Sequence, residues 1–137
     1  MTKVCLIRRW AVLVTCLLAV LLPVCVTAVG TTPAMLALQG NWIRTDAPHY
    51  MIKLRHGQDG TLQAAYFNPN PIHVGKTETA EQGGLVQILI ELQDANYPGS
   101  TYVLTYDRLQ DLLQGIYYHP ASKQSYDVTF VRQPASQ

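Results

Sequence analysis

From Tyr50 onward the chain alternates. Tyr50, Ile52 and Leu54 share one parity, with Met51, Lys53 and Arg55 on the other, as in a strand with one buried and one wet face. Leu62, Ala64 and Tyr66 repeat the pattern, as do Val86, Ile88, Ile90 and Leu92 in the longest apolar run. Tyr102 and Tyr106 do so after them, and Tyr126, Val128 and Phe130 form the last set. Residues that favour turns part these runs: Asp46 to Pro48, Gly57 to Gly60, Gln82 to Gly84, Asp107-Arg108 and Ala121 to Ser125. Pro98-Gly99 has the signature of the central pair of a type II turn. The spacing predicts eight short strands, over 41–45, 49–56, 61–67, 72–79, 85–93, 101–106, 111–119 and 125–132. Leucines near 109–113 also fit a helical turn, but the run through Gly115 to Tyr118 reads as strand.

Short loops make a meander the economical topology. Eight antiparallel strands close into an up-and-down barrel wide enough for packed side chains or one small ligand. The fold class expected is therefore all-β, an eight-stranded antiparallel barrel, with a β-sandwich as the alternative. Gly40 allows a tight turn and Trp42 is large enough to plug one end. Pro69 and Pro71 fix two backbone angles and remove two donors, so Asn68 to Pro71 must run extended at a rim or edge.

The first 30 residues change the bookkeeping of charge and cysteine. Lys3, Arg8 and Arg9 precede an almost wholly apolar run from Trp10 to Val29, with small residues behind it. That is the pattern of a secretory signal peptide, a retained anchor being the alternative. The expected division is a signal peptide over 1–30, a flexible tether over 31–38, a barrel domain over 39–133 and a disordered tail over 134–137. All three cysteines (Cys5, Cys16 and Cys25) fall in the leader. An exported domain without disulfides suits a bacterial periplasm or exterior. Beyond the leader seven basic side chains face nine acidic ones, and no basic stripe offers a nucleic acid a footprint. A membrane is met only through the leader, before cleavage; oligomerisation stays open.

Gly40-Asn41-Trp42, followed by Asp59-Gly60-Thr61-Leu62 and Tyr66, resembles the opening of avidin-like and lipocalin-like (calycin) barrels. That resemblance implies an interior that holds a small organic ligand. A second covers more of the chain. It runs through Asn68-Pro69-x-Pro71-Ile72-x-Val74, Tyr97-Pro98-Gly99-Ser100-x-Tyr102 and Tyr106-Asp107, then Asp111-x-Leu113-x-Gly115-x-Tyr117 and Tyr126-Asp127-Val128-x-Phe130-Val131-Arg132. These stretches resemble a family of uncharacterised exported bacterial proteins, which implies export and a β fold but no activity.

No nucleophile, phosphate-loop or dinucleotide motif is present, so neither a cofactor nor a catalytic residue is expected. His49, His56, His73 and His119 are spread over several strands, which makes a metal site a poor expectation. Tyrosine is the biased residue: eight rings, each with an apolar body and a polar tip, suit a pocket that needs both. The candidate ligand-binding residues are Tyr50, Tyr66, Tyr102, Tyr106 and Tyr126 by inward parity, with Asn68 and His73 at the rim. Gly40, Trp42, Pro69 and Pro71 are the structural candidates. The expected function is noncatalytic binding of a small hydrophobic or amphipathic molecule in or at the mouth of the barrel. The alternatives are a protein-interaction module with a filled core, using Leu89 on its outer face, and a small hydrolase or isomerase at the barrel mouth.

Overall fold

A computed structural model of the chain describes residues 31–134; the leader expected over 1–30 and the last three residues of the expected tail lie outside them. After a short helix α1 (Pro33–Leu36) come nine strands. They are β1 (Gly40–Arg44), β2 (Met51–His56), β3 (Leu62–Asn68), β4 (Asn70–Ile72), β5 (Val74–Gln82), β6 (Leu85–Asp94), β7 (Tyr97–Asp107), β8 (Leu112–His119) and β9 (Gln124–Arg132). All belong to one sheet in the order β4-β3-β2-β1-β9-β8-β7-β6-β5, every pair antiparallel. The chain is thus a meander whose first strand returns to its last through Trp42 opposite Arg132 and Ile43 opposite Val131. One continuous sheet replaces the two layers of the sandwich alternative.

The count is nine rather than eight because the strand expected over 72–79 is broken. β4 pairs with β3, β5 pairs with β6, and only His73 separates the two. Pro71 has no N–H to continue a ladder, and the register slips again between Val74 and Lys76. The two ends of the sheet are therefore consecutive in the chain. β3 and β5 approach each other without pairing, which leaves the barrel nearly closed. Pro98 and Gly99 correct a second expectation. They lie inside β7, opposite a register shift at Leu92 and Gln93, and the hairpin turns at Ala95 and Asn96 instead. The leucines near 109 are not helical either: Leu109 is fully exposed in a turn capped by the Asp107 carboxylate, and β8 starts at Leu112.

Most inward parities hold, although Tyr126, expected inward, is exposed at the end of β9, and Tyr50 and Ala64 are only partly buried. Ile52, Leu54, Leu62, Tyr66, Val86, Ile88, Ile90, Leu92, Tyr102, Leu104, Val128 and Phe130 are all buried in one core. Residues 31–38 are not the flexible tether the sequence predicts. Thr32 caps α1 by accepting from the Met35 N–H, Pro33 opens its first turn, and Ala34 and Leu38 are buried in the core. Two small or aliphatic side chains and a capped turn give this segment enough apolar surface to seal one end of the barrel. His56 Nε2 lies 2.8 Å from the Met35 carbonyl, and Thr32 donates to Glu81 on β5, so the plug is tied to both halves of the sheet.

Trp42 packs against this plug, fully buried, and donates from Nε1 to the Leu38 carbonyl at 2.9 Å. Arg132 lies over its ring, 4.2 Å from the centroid, and Tyr106 meets its edge. Gly40 accommodates Arg132: its φ is +152°, and a Cβ there would sit 2.6 Å from the guanidinium Nη1. Gly115 has a different task. It faces inward between Leu104 and Val128, where a Cβ would fall 1.9 Å from the Val103 carbonyl oxygen. β7 and β8 therefore approach more closely here than a residue with a Cβ allows.

Two substitutions test this packing. Trp42→Ala should cost about 3–5 kcal/mol of unfolding free energy in urea, the range for truncating a buried large aromatic. A curve superimposable on the parent's would contradict its burial. Gly115→Ala should destabilise by about 1–3 kcal/mol despite the better intrinsic properties of alanine, because the clash is with backbone that cannot rotate away. An unchanged midpoint would show that the two strands have room.

Candidate functional site

The end of the barrel opposite α1 is open. The strands leave it through side chains of inward parity that are aromatic or polar rather than aliphatic. Tyr66 and Asn68 close β3, Tyr97 and Tyr102 open β7, and Tyr117 and His119 end β8. With Arg44, Tyr50, Ser122, Gln124 and Tyr126 they line a cleft of about 440 Å³, within the size range of pockets for small organic molecules.

The rings form a connected wall. Tyr102 donates to the Tyr66 hydroxyl at 3.0 Å, and both residues are almost wholly buried. Tyr66 also meets Tyr97 edge-on and Tyr50 at 6.4 Å. Tyr102 lies 4.6 Å from Tyr117, which stacks with Tyr126 at 6.2 Å toward solvent. Asn68 donates to the Tyr97 hydroxyl. Burial pushes the Tyr102 hydroxyl up to about 12, with its bond to Tyr66 and the nearby Arg44 charge pulling the other way. Burial pushes Tyr66 higher still and raises Tyr117 as well. These phenols stay neutral and serve as hydrogen-bonding tips on apolar walls.

Among the described residues Arg44 is the one formal charge in the lining, and no carboxylate is part of it. Its side chain is 12% exposed, with the guanidinium 5.3 Å from the Tyr50 ring centroid. Nε and Nη2 donate to the Asp46 carboxylate at 2.6 and 2.9 Å, and this pair holds Asp46 below the ordinary carboxylate range. His119 is the imidazole of the cleft. Its Nδ1 accepts from the Ser122 amide and lies 3.1 Å from Ser122 Oγ, which fastens the β8–β9 turn. Among the described residues no carboxylate bonds this pair.

Of the residues expected from the sequence, Tyr50, Tyr66, Asn68, Tyr102 and Tyr126 meet at this cleft. Tyr106 does not. It lies at the plugged end, donating to Asp111 at 2.8 Å beside Trp42. Inward parity puts a ring inside without saying at which end. His73 is also elsewhere: it is exposed and links β4 to β5, with its carbonyl accepting from Gln93. Pro69 and Pro71 shape the β3–β4 edge at the rim, where Asn68 faces Asn70. The sequence reading missed Arg44, Tyr97, Tyr117, His119, Ser122 and Gln124. Arg44 carried a usable signal, because it shares parity with Gly40 and Trp42 and is thus a charge on an inward face. Tyr117 is buried and Tyr118 exposed, a parity the strand alone left open. Among the described residues no three His, Cys, Asp or Glu side chains gather as a metal set.

The class defined by this fold and site is an all-β, nearly closed antiparallel barrel with one plugged and one open end. No protein-family model, curated protein or solved structure matches the chain.

The buried phenols make stability depend on alkali. Their folded pKa values lie above the unfolded value near 10, so the unfolded state loses protons first as pH rises. Their contribution is complete below pH 10 and lost as pH climbs through about 12 for Tyr102. Unfolding free energy should fall across that window by about 1.4 kcal/mol per pH unit for each phenol kept protonated only in the fold. Urea melts between pH 9 and 12 should show a shallower slope for Tyr102→Phe than for the parent. Equal slopes would mean that Tyr102 ionises as freely in the fold as out of it.

Proposed function

We propose that this protein binds a small, partly apolar molecule at the open end of its barrel without changing it chemically. The observation that carries the reading is the asymmetry of the barrel. One end is filled by α1, Leu38 and Trp42, while the other keeps a cleft of about 440 Å³ walled by six tyrosines. Apolar ring faces supply affinity by removing ligand surface from water, and the hydroxyls, Asn68 and Gln124 fix orientation. A calycin-like architecture, with Gly40-x-Trp42 at the closed end, and export from the cell belong to the same reading.

A second reading has one observation in its favour. Leu89, Val103 and Ile116 stand side by side on the outer face of β6, β7 and β8, and Val103 and Ile116 are exposed. Such a row suits a protein-interaction module.

The test is a titration with the neutral fluorophore N-phenyl-1-naphthylamine. We expect saturable binding of one equivalent, weakened several-fold by Tyr126→Ala, a half-exposed rim ring whose loss spares the core. Failure to saturate, or equal affinity in the variant, would overturn the cleft as the binding site.

A further inference from the structure

We infer that the molecule bound at the open end is an organic anion: a flat, ring-bearing body whose acid group pairs with Arg44. This inference rests on the reading of that cleft as a ligand site and adds the charge of the ligand.

Three observations carry it. First, among the described residues the cleft has one formal charge, Arg44, and no carboxylate in its lining, so a neutral occupant would leave a largely buried cation facing it. Second, the present partner of Arg44 is a poor permanent one. Asp46 is two residues along the chain in a turn, its side chain is 59% exposed, and an ion pair so open to solvent contributes little. Third, Asp46 takes Nε and Nη2, and the other polar neighbour of the guanidinium is the neutral Tyr102 hydroxyl, which does not balance its charge. A guanidinium fork is matched by a carboxylate or sulfonate with two oxygens in one plane. Asp46 thus stands in for the acid group of the ligand. It holds Arg44 oriented while the site is empty and competes for the same fork when a ligand arrives. The ring walls around Arg44, chiefly Tyr50, Tyr66 and Tyr102, explain why the body should be flat and apolar.

The experiment compares two fluorophores with the same anilinonaphthalene body. 8-Anilinonaphthalene-1-sulfonate carries an acid group and N-phenyl-1-naphthylamine does not. The sulfonate should bind about tenfold more tightly, the worth of one charge-assisted contact. Arg44→Leu should remove that advantage, bringing the affinities of the two probes within about twofold of each other. Asp46→Asn, an exposed change that cannot disturb the core, should tighten the sulfonate by removing its competitor. Lys53→Gln, in the groove at the plugged end, should change neither probe. If both probes bind equally and Arg44→Leu is silent, the charge inference fails while the cleft remains a site. If neither binds, the reading of the cleft falls and this inference with it. If Lys53→Gln releases the sulfonate, the anion belongs to the other groove and the inference is overturned. Should Arg44→Leu not fold, Asp46→Asn decides alone, and unchanged sulfonate affinity counts against the proposal.

Discussion

The guanidinium of Arg132 holds the closed end together. It donates to both carboxylate oxygens of Asp111 at 2.7 and 2.8 Å, and to the carbonyls of Gln39 and Ala37, each at 2.7 Å. Its flat face covers Trp42. One side chain on the last strand thereby ties together the first strand, the segment after α1 and the β7–β8 turn. A cation over an indole contributes about 0.5–2 kcal/mol, depending on desolvation, and a bidentate pair adds directional hold. Arg132 holds the Asp111 carboxyl below its ordinary range, and Asp111 holds the guanidinium charged. Asp111 adopts a positive φ of 52°, uncommon for a side chain other than glycine, so the turn is shaped to present its carboxylate here.

That clamp explains why the two ends differ. With the bottom sealed by Leu38, Ala34 and Trp42, the lower barrel is filled largely with aliphatic side chains, and the Trp42 indole N–H and the Tyr106 hydroxyl find their partners at the seal itself. At the top no segment of the described residues crosses the opening, so strand-end side chains satisfy one another or water. Tyrosine solves this locally. The Tyr102–Tyr66 bond satisfies a buried hydroxyl, and Tyr97 finds Asn68. The cleft is therefore a consequence of closing the barrel at one end only.

Much of the fold was legible because it depends on local alternation. Parity placed Ile52, Leu54, Tyr66, Ile88, Tyr102 and Phe130 inside, and all are buried. What failed depended on tertiary context. Pro98-Gly99 has turn chemistry, yet cross-strand pairing of Asp94 with Tyr97 carries both residues into β7. Residues 31–38 look like a linker of small side chains, and only the exposed mouth of a barrel gives Leu38 and Ala34 something to cover. The break at His73 follows from how the sheet closes, which no local pattern encodes. For the site, parity found the interior but not the depth, so Tyr106 was grouped with rings at the opposite end of the barrel.

The two arginines on the β1–β9 pair differ in burial and in partners. Arg132 lies across from Trp42, and Arg44 across from Phe130, at opposite ends of the same pair of strands. Arg132 engages Nε, Nη1 and Nη2 with carbonyls and a carboxylate and lies on an indole face. Most of its N–H donors are thereby taken by the protein itself. Arg44 engages two nitrogens with one solvent-exposed acid and turns toward a cleft that supplies no other charge. A barrel needs one such clamp to seal it. Arg44 has no comparable seal to hold: Asp46 and the Tyr50 ring are its partners, and its burial beside Tyr50 and Tyr102 puts a charge next to the mouth of the barrel.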